Sequence, residues 1–537
     1  MNMNPKRRQF IQTMLAGAAG GFTLSCASDR ARSFFLAPAD PDTLIGYDTV
    51  DPPTLDPAFS WGVVDGRIIG MIFSTLVRFT PDAQLKPDLA REWTLSDDGR
   101  VYTFHLHESA VFSNGRPVLA EDVRYSYERI LDPETAAVNP WVLEPIAEIR
   151  TPDDHTLQLV LEEPFAPMIY LLAMPAASIV PREAIEQAQQ EGIPFGERPL
   201  GSGPWRFIEW AHDQYINLER IENYWGASPQ FSKYRYRVIP SHFTAIAEFE
   251  TGNLSFIDQL PDPEIDRWRS HPEWKDYTFT SRVLATDMIL FNCEREPFNK
   301  PEVRRAFCQL VDTDLMIRSV RNGAGQMSVG PIPPGVTGNT SDRTPFPVNI
   351  ESARQVLHDH GLADREITMI IPSDQSFLRS TAVVLQALWR KADVNVQVHQ
   401  LEWVSYRQAL RDGDYDTGYR GWFADYPDGD NFLFPLFHSS QIGAGNLCRF
   451  QDPRLDELID RQQRELDQPR REALLREANY YVYQQAPALF LWHRMYYSVI
   501  HPWLREYEYP LIFNGTRYLK PHYQPLITPT PVPEVQA

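Results

Sequence analysis

One twelve-residue segment concentrates side chains that could do chemistry. Residues 421–432 (GWFADYPDGDNF) hold three aspartates and four aromatic residues. The spacing of Asp425, Asp428 and Asp430 does not match a calcium loop, which needs ligands at positions one, three and five before a glycine. The Pro-Asp-Gly sequence predicts a solvated turn at Asp428 and Asp430. Asp425 is different, because a carboxylate among aromatic side chains is costly to desolvate unless it meets a cation. An amine-bearing ligand would supply that cation.

Motifs for catalysis are missing from the sequence. It contains no Gly-x-Ser-x-Gly nucleophile elbow, no phosphate-binding loop and no His-Glu-x-x-His zinc motif. His105 and His107 share one face of a predicted strand, which allows metal binding, but the polar face of a half-buried strand is the simpler interpretation. His358 and His360 fit a helix end. The sequence therefore predicts neither an enzyme nor a cofactor or metal site.

The elements that must position Asp425 follow an alternating pattern. A strand is predicted at 416–420, directly before the aspartate segment. Strands at 366–371 and 394–398 flank a helix at 378–391, and these short connections imply a parallel pair with a right-handed crossover. Further signals are a strand at 102–107, helices at 120–131 and from Pro301, two helices from Pro453 and Pro469, and a strand at 488–492. This pattern favours a mixed α/β fold in at least two lobes.

Composition excludes some classes of protein. The chain has 537 residues, a formal charge of −20 and a pI near 5.1, which argues against a nucleic-acid binder. Four cysteines in that length exclude a disulfide scaffold. For Cys293, Cys308 and Cys448, small buried residues are favoured over a Cys293–Cys308 bridge. The apolar stretch 167–180 is too short to span a membrane and is predicted to lie in the core.

The first residues predict export. Lys6, Arg7 and Arg8 precede a weakly apolar stretch at 10–24, which is the layout of a secretory signal. The paired arginines resemble a twin-arginine signal, and residues 23–26 resemble a lipobox with Cys26 as the lipidated residue, although Thr23 stands where leucine is usual. Simple cleavage nearby is the alternative. Removal of residues 1–25 takes away three positive charges, so the charge changes from −20 to −23.

Residues 89–106 (LAREWTLSDDGRVYTFHL) and 111–129 (VFSNGRPVLAEDVRYSYER) resemble the signature of family 5 extracellular solute-binding proteins. These are the oligopeptide- and dipeptide-binding components of ABC importers. Co-linear support comes from residues 54–57, 201–205, 223–226, 291–298 and 303–307. Several matches in the same order are more specific than any single motif.

The resemblance implies an α/β fold of two lobes, the type II periplasmic-binding-protein architecture, with an extra subdomain inserted in the N-terminal lobe. The expected division is a signal peptide at 1–25, a linker at 26–42, and an N-terminal lobe at 43–284 that includes the insertion at about 70–195. The second lobe would span 285–499, and a return to the first lobe would span 500–524. Strands near 283–292 and 496–502 would cross between the lobes, and the proline-rich tail 525–537 is expected to be disordered.

The resemblance also implies a site and partners. In peptide-binding relatives an aspartate after a Gly-Trp-x-x stretch receives the ligand's α-ammonium, and Asp425 holds that position. Trp422 matches the tryptophan, Trp403 and Tyr406 are candidate aromatic walls or core residues, and Arg420 is a candidate for a ligand carboxylate. The expected partners are a short peptide and a membrane ABC permease, with no nucleic acid. The protein is expected to be a monomer held at a membrane surface through a lipid anchor on Cys26.

Family resemblance leaves the ligand open. Members also take nickel chelates, oligosaccharides or opines. A peptide-acting hydrolase is the alternative from another class, and a chaperone-like or signalling receptor that does not serve import is a third.

Overall fold

The computed structural model describes residues 36–60, 62–373 and 375–525. The described residues from Ala37 onward belong to one compact unit. The predicted signal peptide, Cys26, most of the linker and the tail beyond residue 525 lie outside the described residues. Within these ranges, no helix is both long and apolar enough to cross a membrane.

Strands and helices alternate along most of the described chain. The strands are β1 Thr43–Asp48, β2 Val77–Phe79, β3 Leu85–Pro87, β4 Ala90–Leu95, β5 Val101–Leu106, β6 Ile146–Asp153, β7 Thr156–Leu161, β8 Trp205–Ala211, β9 Tyr215–Arg220, β10 Lys233–Val238, β11 Phe256–Ile257, β12 Thr278–Phe291, β13 Gly325–Met327, β14 Glu366–Pro372, β15 Asn395–Leu401, β16 Thr417–Phe423, β17 Ala488–Ile500, β18 Leu504–Arg505 and β19 His522–Tyr523.

The helices are α1 Val63–Ile72, α2 Ala120–Leu131, α3 Met168–Leu171, α4 Arg182–Glu191, α5 His242–Glu250, α6 Ile265–Ser270, α7 Pro301–Gln309, α8 Thr313–Val320, α9 Ile350–Asp359, α10 Ser376–Arg390, α11 Trp403–Asp412, α12 Asp430–Phe437, α13 Pro453–Arg464 and α14 Gln468–Gln485. Short 3₁₀ turns join several of them.

The segment predicted to be inserted in the first lobe contains an antiparallel sheet in the order β4-β5-β7-β6. In β5, Tyr102, Phe104 and Leu106 are buried and alternate with more exposed residues, which confirms the predicted half-buried strand. Helix α2 has the predicted bounds, and its Val123 and Tyr127 are buried. A second sheet of the first lobe has the order β1-β10-β9-β8, with β1 parallel to β10.

The largest sheet has the order β11-β17-β12-β16-β14-β15. Its β14 and β15 are parallel and joined through α10, which confirms the predicted β-α-β unit. The two long strands β12 and β17 are antiparallel, with register irregularities between Arg282 and Thr286 and between Asp287 and Met288. The segments expected to cross between the lobes fall largely within these two strands. The lobe boundaries themselves stay predictions.

Buried side chains form a core around the β1–β10 sheet, a second around the β14-α10-β15 unit, and an extended one that includes the inserted sheet and helices α12–α14. Cys293, Cys308 and Cys448 are free thiols, and Cys308 and Cys448 are buried. This confirms the packing interpretation over a Cys293–Cys308 bridge. The stretch 167–180 also lies mostly in the core, as expected.

Candidate ligand-binding site

Strand β16 lies inside the largest sheet, and the aspartate segment begins at its end. The strand ends at Phe423, three residues later than predicted, because its final residues pair antiparallel with β12. Its neighbour on the other side, β14, pairs with it only at Thr417 and Gly418. Directly after the strand, the Ala424 N–H donates to the Leu284 carbonyl at 2.7 Å. The backbone entering Asp425 is therefore fixed to β12.

Asp425 is half-buried and held by one side chain. The Asn431 amide nitrogen donates to Asp425 Oδ2 at 3.2 Å, and Asn431 Oδ1 accepts the Asp425 N–H at 3.0 Å. The same Oδ1 accepts the Trp422 indole N–H at 3.2 Å. Burial raises the pKa of Asp425 to about 6, while Asn431 and the positive charge of Arg420 oppose that rise. Among the described residues, no cation lies within ion-pair distance of this carboxylate.

Arg420 lies near Asp425 but is held mainly by stacking. Its guanidinium carbon is 5.1 Å from the centroid of a Trp422 ring. Its Nε is buried and has no hydrogen-bond partner in the described part of the chain. Burial lowers the pKa of Arg420, and the charge of Asp425 counteracts this only in part. The structure thus brings Arg420, Trp422 and Asp425 together.

Trp403 and Tyr406 are placed differently. Tyr406 is 2% exposed, and its hydroxyl donates to the Tyr419 carbonyl beneath β16. Trp403 begins α11, is 41% exposed and stacks on Tyr406 with ring centroids 6.0 Å apart. Neither residue borders the cavity described below, and the burial of Tyr406 fits core packing. A ligand contact by either residue stays a prediction.

Asp428 and Asp430 do not form the solvated turn that the sequence predicts. Each is 1% exposed. Asp428 accepts two bonds from Arg471, at 2.7 and 2.6 Å. Asp430 accepts from the Tyr426 hydroxyl at 2.9 Å and from Gln462, and burial raises its pKa to about 6. The chain does turn at 428–431, where the Asn431 N–H donates to the Asp428 carbonyl at 3.2 Å. The two carboxylates attach the segment to α13 and α14, which explains why the predicted solvation was wrong.

A cavity of about 220 Å³ lies beside Ala424. Residues of β12, β16 and β17 form one side of the cavity. The other side, which we call the first-lobe wall because it falls in the predicted first lobe, is formed by β1, α1, α5 and the chain that follows β18. The wall includes Tyr47, Val64, Phe423, Ala424, Tyr496 and Phe513. Asp425 directly follows the wall residue Ala424 in the chain, but Arg420, Trp422 and Asp425 are not among the residues that line this cavity.

The first-lobe wall carries charges that the sequence did not reveal. Arg67 lies 3.5 Å from Asp258 Oδ2 and 3.9 Å from Asp48 Oδ2. Although burial disfavours its charge, Asp258 and Asp48 raise the pKa of Arg67 well above its usual value. The Tyr507 hydroxyl donates to Asp258, whose pKa is raised by burial. Asp48 and Asp258 are 210 positions apart, so no local spacing could have identified this cluster.

Metal binding finds no support in the described ranges, where no three His, Cys, Asp or Glu residues form a group that could hold an ion. His107 packs against Trp225, with ring centroids 5.6 Å apart. The cavity lining offers ionic, hydrogen-bonding and aromatic contacts, through residues such as Asp48, Gln259 and Tyr47.

Comparison with known proteins supports recognition over catalysis. The family model described as bacterial extracellular solute-binding proteins, family 5 Middle, matches residues 84–444. Heme-binding protein A of Haemophilus influenzae is 28% identical over 464 residues, which cover 81% of this chain and 84% of that protein. The dipeptide-binding protein of Escherichia coli is 27% identical over 467 residues, which cover 81% and 86%.

Solved structures agree with the sequence matches. The periplasmic binding protein DppA of Helicobacter pylori, in complex with the peptide STSA, is similar with a TM-score of 0.79 and 26% identity, over 90% of this chain and 98% of that one. The structure of AgaA from Agrobacterium tumefaciens (A.tumefacien R10), in complex with agropinic acid, has a TM-score of 0.75 and 25% identity, over 90% and 99%. These similarities confirm the two-lobed type II fold.

Proposed function

Because the chain belongs to the bacterial extracellular solute-binding proteins of family 5, we propose that it captures short peptides between its lobes and delivers them to an ABC permease. The observation that carries this proposal is Asp425, a half-buried carboxylate with a raised pKa and no ion-pair partner among the described residues, which directly follows the cavity-wall residue Ala424 in the chain. A ligand α-ammonium would complete the pair and fix one end of the peptide. The dipeptide-binding relative and the peptide complex of the solved neighbour support the ligand class.

Arg420 and Trp422 complete the proposed site. The Arg420 guanidinium stacks on the Trp422 indole, and although its Nε is buried, its terminal N–H groups would be the donors to a ligand carboxyl or carbonyl group. The peptide backbone would add main-chain hydrogen bonds, and water would fill the side-chain pockets, which allows broad specificity.

The protein binds and releases its ligand without turnover in this proposal. It acts as a monomer outside the cytoplasm, exported by the signal at 1–25 and held at a membrane surface through a lipid on Cys26. Peptide recovered after incubation with the protein should therefore be intact by mass spectrometry.

The anchor is tested by calorimetry with a tripeptide and its N-acetylated form, using wild-type protein and Asp425→Asn. In wild type, acetylation should weaken binding by about 2–4 kcal/mol, because the carboxylate loses its cation. In Asp425→Asn, both peptides should bind weakly and acetylation should have little further effect, which is the non-additivity expected of direct partners. Asp414→Asn removes an equal charge at a side chain that is 85% exposed and should behave as wild type.

Equal acetylation effects in wild type and Asp425→Asn would contradict the anchor. Native mass spectrometry of protein purified without refolding gives an independent test, because a tightly held ligand is retained. A metal chelate, sugar or opine in that spectrum would replace the peptide as ligand and leave the family unchanged.

A further inference from the structure

The first-lobe wall of the cavity carries more acidic than basic side chains. Among the described residues that border the cavity, the acidic side chains are Asp48 and Asp258, and the only arginine or lysine is Arg67. Burial lowers the pKa of the neighbouring His242, which keeps that imidazole neutral at pH 7. Two carboxyl groups therefore face one guanidinium, so this wall has no excess positive charge to offer an anionic occupant.

Of the two carboxyl groups, that of Asp48 is the one that can still accept a hydrogen bond from a ligand. Arg67 is nearer to Asp258, at 3.5 Å, than to Asp48, at 3.9 Å, and Asp258 also accepts from Tyr507. The side chains of Arg67 and Asp258 are 11% and 12% exposed, whereas that of Asp48 is 24% exposed. Its Oδ1 accepts the Thr49 N–H at 2.7 Å, so Oδ2 is the oxygen available to a ligand donor.

An anionic ligand group fits this wall poorly. The Nε of Arg67 has no hydrogen-bond partner among the described residues, but it is buried, so a ligand carboxylate cannot reach it from the cavity. Such a group would also lie beside Asp48 and Asp258. The nearby Arg494 does not change this balance, because Asp287 holds it through two contacts of 2.8 Å.

The aromatic residues that line the cavity favour a positively charged ligand group. Tyr47 and Tyr509 border the cavity next to the charged wall. Ring faces attract ammonium and guanidinium groups, and the attraction grows when water is excluded. On the other side of the cavity, Phe423 already packs against Arg494, whose guanidinium carbon is 4.6 Å from the ring centroid. The cavity lining therefore already holds one cation against an aromatic ring.

We propose that Asp48 selects peptides with a lysine or arginine side chain at the first or second position. The α-ammonium would bind Asp425 of the second lobe, and the basic side chain would bind Asp48 of the first. One ligand would thereby join both lobes through two ion pairs. This inference rests on the proposed peptide function and names its preferred substrates.

Calorimetry with four tripeptides tests the selection: Lys-Ala-Ala, norleucine-Ala-Ala, Ala-Lys-Ala and Ala-norleucine-Ala. Norleucine retains most of the lysine chain and lacks the charge. At one of the two positions, lysine should bind wild-type protein about tenfold more tightly than norleucine, as a charged hydrogen bond implies. In Asp48→Asn that preference should vanish while the norleucine affinity stays unchanged, which also reports that the variant is folded.

The control variant is Asp414→Asn, which has the same net charge as Asp48→Asn and should keep the lysine preference. Equal binding of lysine and norleucine peptides by wild type would overturn the inference, and so would a lysine preference that survives in Asp48→Asn. In both cases peptide capture itself would stand. If none of the four peptides bound, peptide capture would fail, and the inference would fail with it.

Discussion

At the scale of single residues, two aspartates three positions apart have opposite surroundings. Asp428 meets Arg471 in a fully buried ion pair, so its charge serves the fold. Asp425 meets the neutral amide of Asn431, which can orient a carboxylate but cannot neutralise it. Leaving a partly buried charge without a counter-ion costs stability, and a ligand cation would remove that cost. This difference supports the proposal that Asp425, rather than Asp428, binds the ligand.

The raised pKa of Asp425 predicts an acid limit for ligand binding. In the free protein this pKa is about 6, and a bound ammonium group would lower it. The affinity should thus be constant between pH 6 and the pKa of the ligand amine, at about 8. Well below pH 6 the affinity should fall about tenfold per pH unit. Calorimetry across this range measures it.

The matching variant for the pH series is Asp425→Asn. Its affinity should be low and show no acid limit, although Asp430, whose pKa is also about 6, remains present. An acid limit that persists in this variant would assign the titration to Asp430 or to another group.

Sequence reasoning located Asp425 because the signal was local. A carboxylate between Trp422 and Tyr426 stands out within a few residues. Asp428 could not be assigned in the same way, since Arg471 is 43 positions away and only the packing of α14 brings it near. The charged residues of the first-lobe wall, Asp48, Arg67 and Asp258, were missed for the same reason.

At the scale of elements, the β-α-β unit was predictable because its strands, helix and connections are contiguous and their hydrophobic periods differ. The end of β16 was not, because its final three residues are fixed by pairing with β12, which lies far away in sequence. The length of β17 was also underestimated, since residues beyond 492 pair with β11 and β12.

The Gly-Ser-Gly-Pro sequence at 201–204, which belongs to the family resemblance, is explained by close packing. A Cβ on Gly203 would lie 2.5 Å from the Met71 carbonyl oxygen at the end of α1, and the Gly203 N–H donates to the Ile72 carbonyl at 2.8 Å. Glycine at position 203 lets this segment pack directly against the backbone at the end of α1, the helix that carries Arg67. Its role is structural, unlike that of a phosphate-binding loop.

Gly203→Ala should therefore destabilise the protein by about 1–3 kcal/mol, the usual cost of overpacking. Urea unfolding measures this change, and peptide affinity per folded molecule should remain the same. Gly70→Ala is the matched control, because a Cβ there would lie 3.5 Å from its nearest neighbour, an ordinary contact. Inside α1, that replacement should be neutral or stabilising by up to about 1 kcal/mol. Similar losses in both variants would refute the packing explanation.

At the scale of the whole molecule, the cavity is small for its proposed task. Its volume of about 220 Å³ lies below the range of about 300–1,000 Å³ that is common for ligand pockets. Residues from both lobes border it, and Leu284 of β12 bonds through its N–H to the Leu511 carbonyl at 3.2 Å across the same region. A peptide can enter only if the lobes separate, and the long strands β12 and β17 are the connections about which they would move.

Lobe motion predicts that peptide binding makes the molecule more compact. Small-angle X-ray scattering should give a smaller radius of gyration with saturating peptide, because contacts to Asp425 and to the first-lobe wall favour the closed state. The same peptide at 100 times its dissociation constant should stabilise the folded protein by about 2.7 kcal/mol in thermal unfolding. At that concentration both effects should be smaller in Asp425→Asn, since its lower affinity reduces the fraction of occupied molecules. An unchanged radius in wild-type protein that calorimetry shows to be saturated would mean that the ligand binds without closure, and the two-lobe contact assigned to it would then be wrong.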